Sequence, residues 1–180
     1  MAQGRPTLLT REPGGAPGAE VLRALLLDPA RVWAPSTEIY LHFAARAEHL
    51  ERTVLPALAE GAIVVCDRFF DSTMAYQGYG LGADRALIAA LTALLPVRPG
   101  LTLVLEAAPD VAAARLRQRD QGLDRYERMD SGFHARVRAG YRAIAEAEPA
   151  RCVVIRADGS MAEVEAAIRG AVAKTVSGLA

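Results

Sequence analysis

Lysine is almost missing from this sequence, with Lys174 standing alone beside 20 arginines. Arginine is therefore the default cation here, and no single arginine is informative by type alone. Cysteine is scarce as well: Cys66 and Cys152 each lie in an apolar strand-like run, without CxxC spacing or a nearby histidine pair. That excludes a disulfide framework and a zinc site, and both are expected to be buried thiols. Net charge is zero, which removes the basic footprint of a nucleic-acid binder and the acidic tail of a disordered segment. No apolar run approaches 18 residues, and Met1 to Thr10 has neither the charged start nor the apolar stretch of a signal peptide. A cytoplasmic protein with small-molecule partners, no nucleic acid and no membrane is the expectation.

What is present is an ample apolar content, 52% of 180 residues, enough for one compact domain over 1–180 that buries roughly 70% of its unfolded surface. Four short apolar runs, Thr7 to Thr10, Ala62 to Cys66, Leu101 to Glu106 and Cys152 to Arg156, alternate with longer segments of helical periodicity. Helices are expected over Gly18 to Leu27, Ser36 to Glu60, Asp84 to Leu95, Pro109 to Arg119, Ser131 to Glu146 and Ser160 to Val176. Ser36 reads as an N-cap, Gly61 as a helix stop and Pro109 as a first-turn residue. The alternation predicts an α/β fold, a mostly parallel sheet flanked by helices. Such a fold normally opens with a strand, a glycine-rich turn and a helix, so a segment before Met1 is expected to be missing.

Ligands of open α/β sheets bind beyond the carboxyl ends of the strands. The first run ends in Thr10-Arg11-Glu12-Pro13-Gly14-Gly15, the second in Asp67-Arg68 and the third in Glu106. Carboxylates hold Mg²⁺ and guanidinium groups pair bidentately with phosphate, so this edge suits phosphate chemistry. Directly after Asp67-Arg68, the run Asp71 to Gly80 carries Thr73, Tyr76 and Gln77, which suit the flat face and polar edge of a base. An ordinary polar loop is the alternative. Arg46, in His42-Phe43-Ala44-Ala45-Arg46, is placed to face the same ligand. Five arginines between Arg115 and Arg128, broken by Asp120-Gln121-Gly122, read either as a solvated helix face or as a mobile lid over about 115–130.

These residues give the chain a resemblance to the bacterial thymidylate kinases from about Thr7 to Val172. It rests on Thr10 to Gly15, on Asp67-Arg68-Phe69 with Ser72 to Gly78, and on Leu123 to Glu127 followed by Phe133-His134 and Gly140-Tyr141. The resemblance implies a P-loop kinase fold and transfer of a phosphoryl group from ATP to dTMP with Mg²⁺, giving dTDP, in a cytoplasmic homodimer. It implies that Arg68 holds the dTMP phosphate, Asp67 helps to place Mg²⁺, and Arg11 and Glu12 sit beside the acceptor phosphate and the metal. By the same resemblance Arg46 bonds thymine, Thr73, Tyr76 and Gln77 complete the nucleoside pocket, and Arg119 and Arg125 match lid arginines that act in catalysis.

Two departures stand out. The aromatic position four residues before Arg46 is His42, with Phe43 next to it, so either the imidazole stacks on the base or a helix shift presents Phe43. The 180 residues also contain no Gly-x-x-x-x-Gly-Lys-[Ser/Thr], and Lys174, after Val172-Ala173, cannot serve in one. In the family the P-loop segment carries the first strand, central in the sheet, and the first helix. Three readings follow: a thymidylate kinase lacking that segment and inactive as the 180-residue chain, a non-catalytic dTMP-binding or dimer-partner protein, and a related kinase acting on another small acceptor.

Overall fold

The computed structural model describes residues 4–118 and 124–177, with side chains through Lys174. Its contacts divide the chain into two compact units, one within Met1–Leu94 and Leu123–Val137, the other within Leu95–Gly122 and Arg138–Ala180.

The first unit opens with β1 (Thr7–Arg11), whose residues alternate between covered and exposed as a half-covered strand requires. β1 pairs in parallel with β2 (Ile63–Asp67), in a register that sets Thr7 against Ile63 and Arg11 against Asp67. Between them run α1 (Pro17–Leu27) and α2 (Pro35–His49), which continues through a π-helical turn, Leu50–Val54, into α3 (Leu55–Ala59). Ala16, Ala19 and Ala45, with Leu22 beside them, let α1 and α2 approach closely, because a methyl group is all that separates the backbones. Gly61, at φ 78°, closes the long helix, and its N–H donates to the Leu58 carbonyl. The helix start differs from the expectation in detail: Ala34 is the N-cap and Pro35 takes the first helical position, where its fixed φ is already helical, so Ser36 lies inside the first turn.

After β2 the chain forms α4 (Phe70–Thr73) and a second π-helical segment, Met74–Gly80, then α5 (Arg85–Ala93). The Asp84 carboxylate accepts the Ala86 and Leu87 N–H groups, a side-chain N-cap where the sequence placed the helix start.

The second unit contains β3 (Thr102–Glu106) and β4 (Cys152–Arg156), again parallel and in register from Thr102 with Cys152 to Glu106 with Arg156. α6 (Pro109–Gln118) and α8 (Met161–Ser177) follow these strands, and α7 (Ser131–Ala147) begins in the first unit and ends in the second. Arg151 ties the unit together, donating to Thr102 Oγ1 at 2.7 Å and pairing with Glu148 at 3.0 Å. All four expected strands and the parallel α/β pattern are therefore present. Cys152 is buried, while Cys66 is half-buried with its thiol pushed up to about 12 by burial and by the carboxylates of Glu12 and Asp67.

Candidate functional site

The site grows from the carboxyl end of β1. In a strand, side chains two apart share a face, so Thr10 and Glu12 both turn toward α2. There His49 bridges them, with Nε2 at 2.8 Å from Thr10 Oγ1 and Nδ1 at 3.1 Å from Glu12 Oε1. The other Glu12 oxygen accepts from Arg46 Nε at 2.8 Å, and Arg46 Nη2 donates to Thr73 Oγ1 at 3.1 Å. Glu12, Arg46, His49 and Thr73 are all buried. A charge removed from water this completely is tolerable only when paired and hydrogen-bonded, as here. One atom is left over: Arg46 Nη1 is buried without a hydrogen-bond partner among the described residues. The Arg46 guanidinium also lies 4.7 Å from the Phe43 ring and 5.3 Å from that of Phe69.

Two helical turns before Arg46, a second buried network begins. Glu38 Oε1 accepts from the Tyr126 hydroxyl at 2.8 Å and from Gln77 Nε2 at 3.0 Å, and Glu38 Oε2 pairs with Arg125 Nη2 at 2.8 Å. Gln77 Nε2 also reaches the Tyr126 oxygen at 3.0 Å, and His42 Nε2 lies 3.2 Å from it. His42 is held neutral, its pKa lowered to about 3 by burial first and then by the positive charges of Arg46, Arg125 and Arg68. The Tyr126 hydroxyl is pushed strongly upward by burial and by the adjacent Glu38 carboxylate, so it remains a donor.

Both networks wall a single cleft within the first unit, with an empty volume of about 610 Å³ counting the solvent at its mouth. Its floor is formed by Glu12, Arg46, Thr73 and Gln77, and Arg68, Tyr76 and His42 complete the expected residues that line it. Arg68 sits at φ 68°, a left-handed conformation uncommon for a side-chain-bearing residue, with its guanidinium 4.9 Å from the Tyr76 ring. Backbone strain at a cleft-lining cation is the pattern found at ligand sites.

Other expected residues lie elsewhere. Phe43 is buried beside Arg46 and does not line the cleft, whereas His42 does. Arg11 is exposed and chelates Glu20 at 3.0 and 3.1 Å, and the Gly15 N–H, the largest influence, lowers the Glu20 pKa together with Arg11. Asp67 stands exposed at the end of β2, opposite Arg11. Arg125 is committed to Glu38 rather than to the cleft lining, and its Nη1 is buried without a partner among the described residues. Arg119 lies outside the described residues, as does the centre of the expected lid; Arg115, at its start, donates to the Ala157 and Gly159 carbonyls.

Glu38 and Arg23 were not singled out from the sequence, whereas Tyr126, Asp124, Glu127 and His134 stood in the runs that carry the resemblance without a role assigned to them. A signal did exist for Glu38. Glu38, His42, Arg46 and His49 follow at i, i+4, i+8 and i+11, a polar stripe on one helix face that is buried throughout.

Among the described residues no group of three or more His, Cys, Asp or Glu is placed to hold a metal ion. Mg²⁺ in phosphoryl transfer needs less, since one or two carboxylates, water and the substrate phosphates suffice. Asp67 offers one exposed carboxylate of that kind, while both oxygens of Glu12 are engaged by Arg46 and His49. No helix among the described residues is long and apolar enough to cross a membrane.

Comparison with known proteins agrees with this architecture. The thymidylate kinase family pattern matches residues 1–168. A thymidylate kinase of Caulobacter vibrioides is 50% identical over 170 residues, covering 93% of this chain and 81% of its own length. One from Gluconobacter oxydans is 46% identical over 180 residues, covering 98% and 84%. The crystal structure of a thymidylate kinase from Ehrlichia chaffeensis superposes with a TM-score of 0.74 at 34% identity, covering 92% of this chain and 79% of that one. With a buried polar cleft at the strand ends and this agreement over most of its length, the chain belongs to the thymidylate kinase family.

Proposed function

We propose that the cleft binds dTMP as the acceptor of a phosphoryl group from ATP, with Mg²⁺, and that the protein serves the conversion of dTMP to dTDP as a cytoplasmic homodimer. The observation that carries the reading is Arg46 Nη1, a buried guanidinium N–H on a cleft-lining residue without a hydrogen-bond partner among the described residues. A buried donor left unsatisfied is costly, and a carbonyl oxygen of a thymine base is an acceptor that relieves it. Arg68 supplies a cation suited to a phosphate, and Tyr76 and His42 line the same cleft. Bound Mg²⁺ supplies charge neutralisation of the phosphates, with Asp67 the carboxylate to hold it. Arg11, Arg119 and Arg125 are the further cations the proposal assigns to the transferring phosphate. For Arg125 this requires release from Glu38, and the segment 115–130 then acts as the lid.

The phosphate cradle is the exception. The 180 residues contain no Gly-x-x-x-x-Gly-Lys-[Ser/Thr], so this polypeptide, expressed as it stands, is expected to bind dTMP while forming negligible dTDP. Calorimetric titration with dTMP and a coupled assay for dTDP separate the two properties. Absence of dTMP binding overturns the reading of the cleft. A rate comparable to that of a complete thymidylate kinase, with contaminating kinase excluded, overturns the expectation of inactivity. A second reading is a non-catalytic dTMP-binding or dimer-partner protein. That reading fails if the codons before Met1 encode, in frame, a strand and a Gly-x-x-x-x-Gly-Lys-[Ser/Thr] loop. A further kinase acting on another small acceptor is favoured only if a different monophosphate binds more tightly than dTMP.

A further inference from the structure

Tyr126 has one hydroxyl proton and three polar neighbours, and the distribution of that proton fixes the chemistry of His42. The shortest of the three contacts, 2.8 Å, is to Glu38 Oε1, and Glu38 is paired with Arg125. A carboxylate accepts only, so the proton lies on that line. The Tyr126 oxygen is then an acceptor toward its two other neighbours. Gln77 fills one direction with its amide N–H at 3.0 Å, and its second N–H goes to Glu38 at 3.0 Å, which orients the amide unambiguously. The remaining neighbour, His42 Nε2 at 3.2 Å, has to donate. The reverse tautomer requires the Tyr126 proton to point at His42 and leaves the phenol oxygen facing a carboxylate at 2.8 Å with no hydrogen between them.

A neutral imidazole protonated at Nε2 carries a lone pair at Nδ1. No described residue donates to that nitrogen, and His42 lines the cleft. The geometry points to His42 as a specificity-determining residue: held by Tyr126, it presents Nδ1 as an acceptor that recognises a base with a ring N–H, the imide of thymine or uracil, and disfavours cytosine, whose ring nitrogen at that place is itself an acceptor. Tyr126 is the positioning residue, acting on the ligand only through His42. The assignment rests on the reading of the cleft as a nucleoside monophosphate site, and it replaces a purely stacking role at this helix position by a hydrogen-bonding one.

The full 180-residue chain, labelled with ¹⁵N-histidine and titrated with dTMP and with dCMP, tests it. At neutral pH the His42 signals are expected to show a protonated Nε2 and an unprotonated Nδ1, with the Nδ1 resonance moving on addition of dTMP and staying in place with dCMP. His42→Phe, which keeps a flat ring and removes the acceptor, is expected to lower the preference for dTMP over dCMP about tenfold, the scale of one lost recognition hydrogen bond. Tyr126→Phe is expected to lower the same preference and to mix the two His42 tautomers, a spectroscopic change that loss of packing alone does not produce. A proton on Nδ1 in the wild-type chain overturns the assignment. So does an Nδ1 resonance indifferent to bound dTMP, or a preference that both variants leave intact. If the wild-type chain binds neither nucleotide, the reading of the cleft falls and the assignment with it. Binding of dTMP with any of the former results leaves the cleft reading standing and removes only the role of His42.

Discussion

His42 shows how a neutral side chain is maintained in a cationic surrounding. Its ring is buried, and Arg46, Arg125 and Arg68 all oppose a positive charge there, which takes the pKa from the usual 6.5 to about 3. In the unfolded chain the same group protonates near its ordinary value. Between those values the unfolded state binds the extra proton, so stability rises with pH across that window and is lost as pH falls through it. Thermal unfolding followed by circular dichroism is expected to show a midpoint that drops from about pH 6.5 toward about pH 4, and His42→Phe is expected to flatten that acid limb. Arg68 illustrates a different residue-scale cost. At φ 68° any side chain with a Cβ is disfavoured, while glycine is not. Replacing Arg68 by Gly and by Ala removes the guanidinium in both cases. The Gly variant is expected to be more stable by about 1 kcal/mol, measured by denaturant unfolding, because only Ala retains the left-handed penalty. Both are expected to lose dTMP affinity by about tenfold or more, since each removes a charged partner of the phosphate.

At the scale of elements, the turn between β1 and α1 is where packing is least forgiving. Gly15 adopts φ 82°, and a Cβ there would lie 2.5 Å from Thr10 Oγ1 and 2.6 Å from His49 Nε2, two members of the buried chain that ends on Glu12 and Arg46. Gly82 has a similar φ of 72° with nothing within 4 Å of the added atom. Gly82→Ala is therefore expected to cost about 1 kcal/mol from the backbone alone, and Gly15→Ala about 2–4 kcal/mol from backbone and overpacking together. Chemical denaturation of the two variants measures the difference, and equal losses would show that the Thr10–His49 contact yields freely. The same comparison of elements explains what was legible beforehand. Four strands could be read because short β-branched runs flanked by turns have few other uses, and the residues after them, Glu12, Asp67 and Arg68, followed from strand-end placement. The π-helical segment Met74–Gly80 could not be: two glycines in Tyr76-Gln77-Gly78-Tyr79-Gly80 argue against a helix on propensity. Tertiary contact overrides that propensity, for a Cβ on Gly80 would lie 2.6 Å from the Phe133 ring, so the glycine is there to admit α7. Glu38 escaped notice, and Tyr126 was given no role, because their partners are 39 to 88 residues away in sequence, a pairing that no local pattern encodes.

For the molecule as a whole, the cleft and both buried networks belong to the first unit, while the second unit is held by its own strand pair and by ion pairs such as Arg98–Glu148. A molecule bound in the cleft contacts the first unit and stabilises the folded state of that unit. At a dTMP concentration 100 times its dissociation constant, the stabilisation is about 2.7 kcal/mol, which for a body of this size corresponds to a rise of roughly 5–10 °C in midpoint. Differential scanning calorimetry of the 180-residue chain is expected to show that rise with dTMP and none with inorganic phosphate at the same concentration, because phosphate alone engages Arg68 without satisfying Arg46 Nη1. If the chain unfolds in two steps, the shift is expected in the transition that Gly15→Ala also moves, since that substitution lies in the first unit and marks its unfolding. A shift confined to the transition that Gly15→Ala leaves in place would put the ligand in the second unit and remove the cleft from the account of binding.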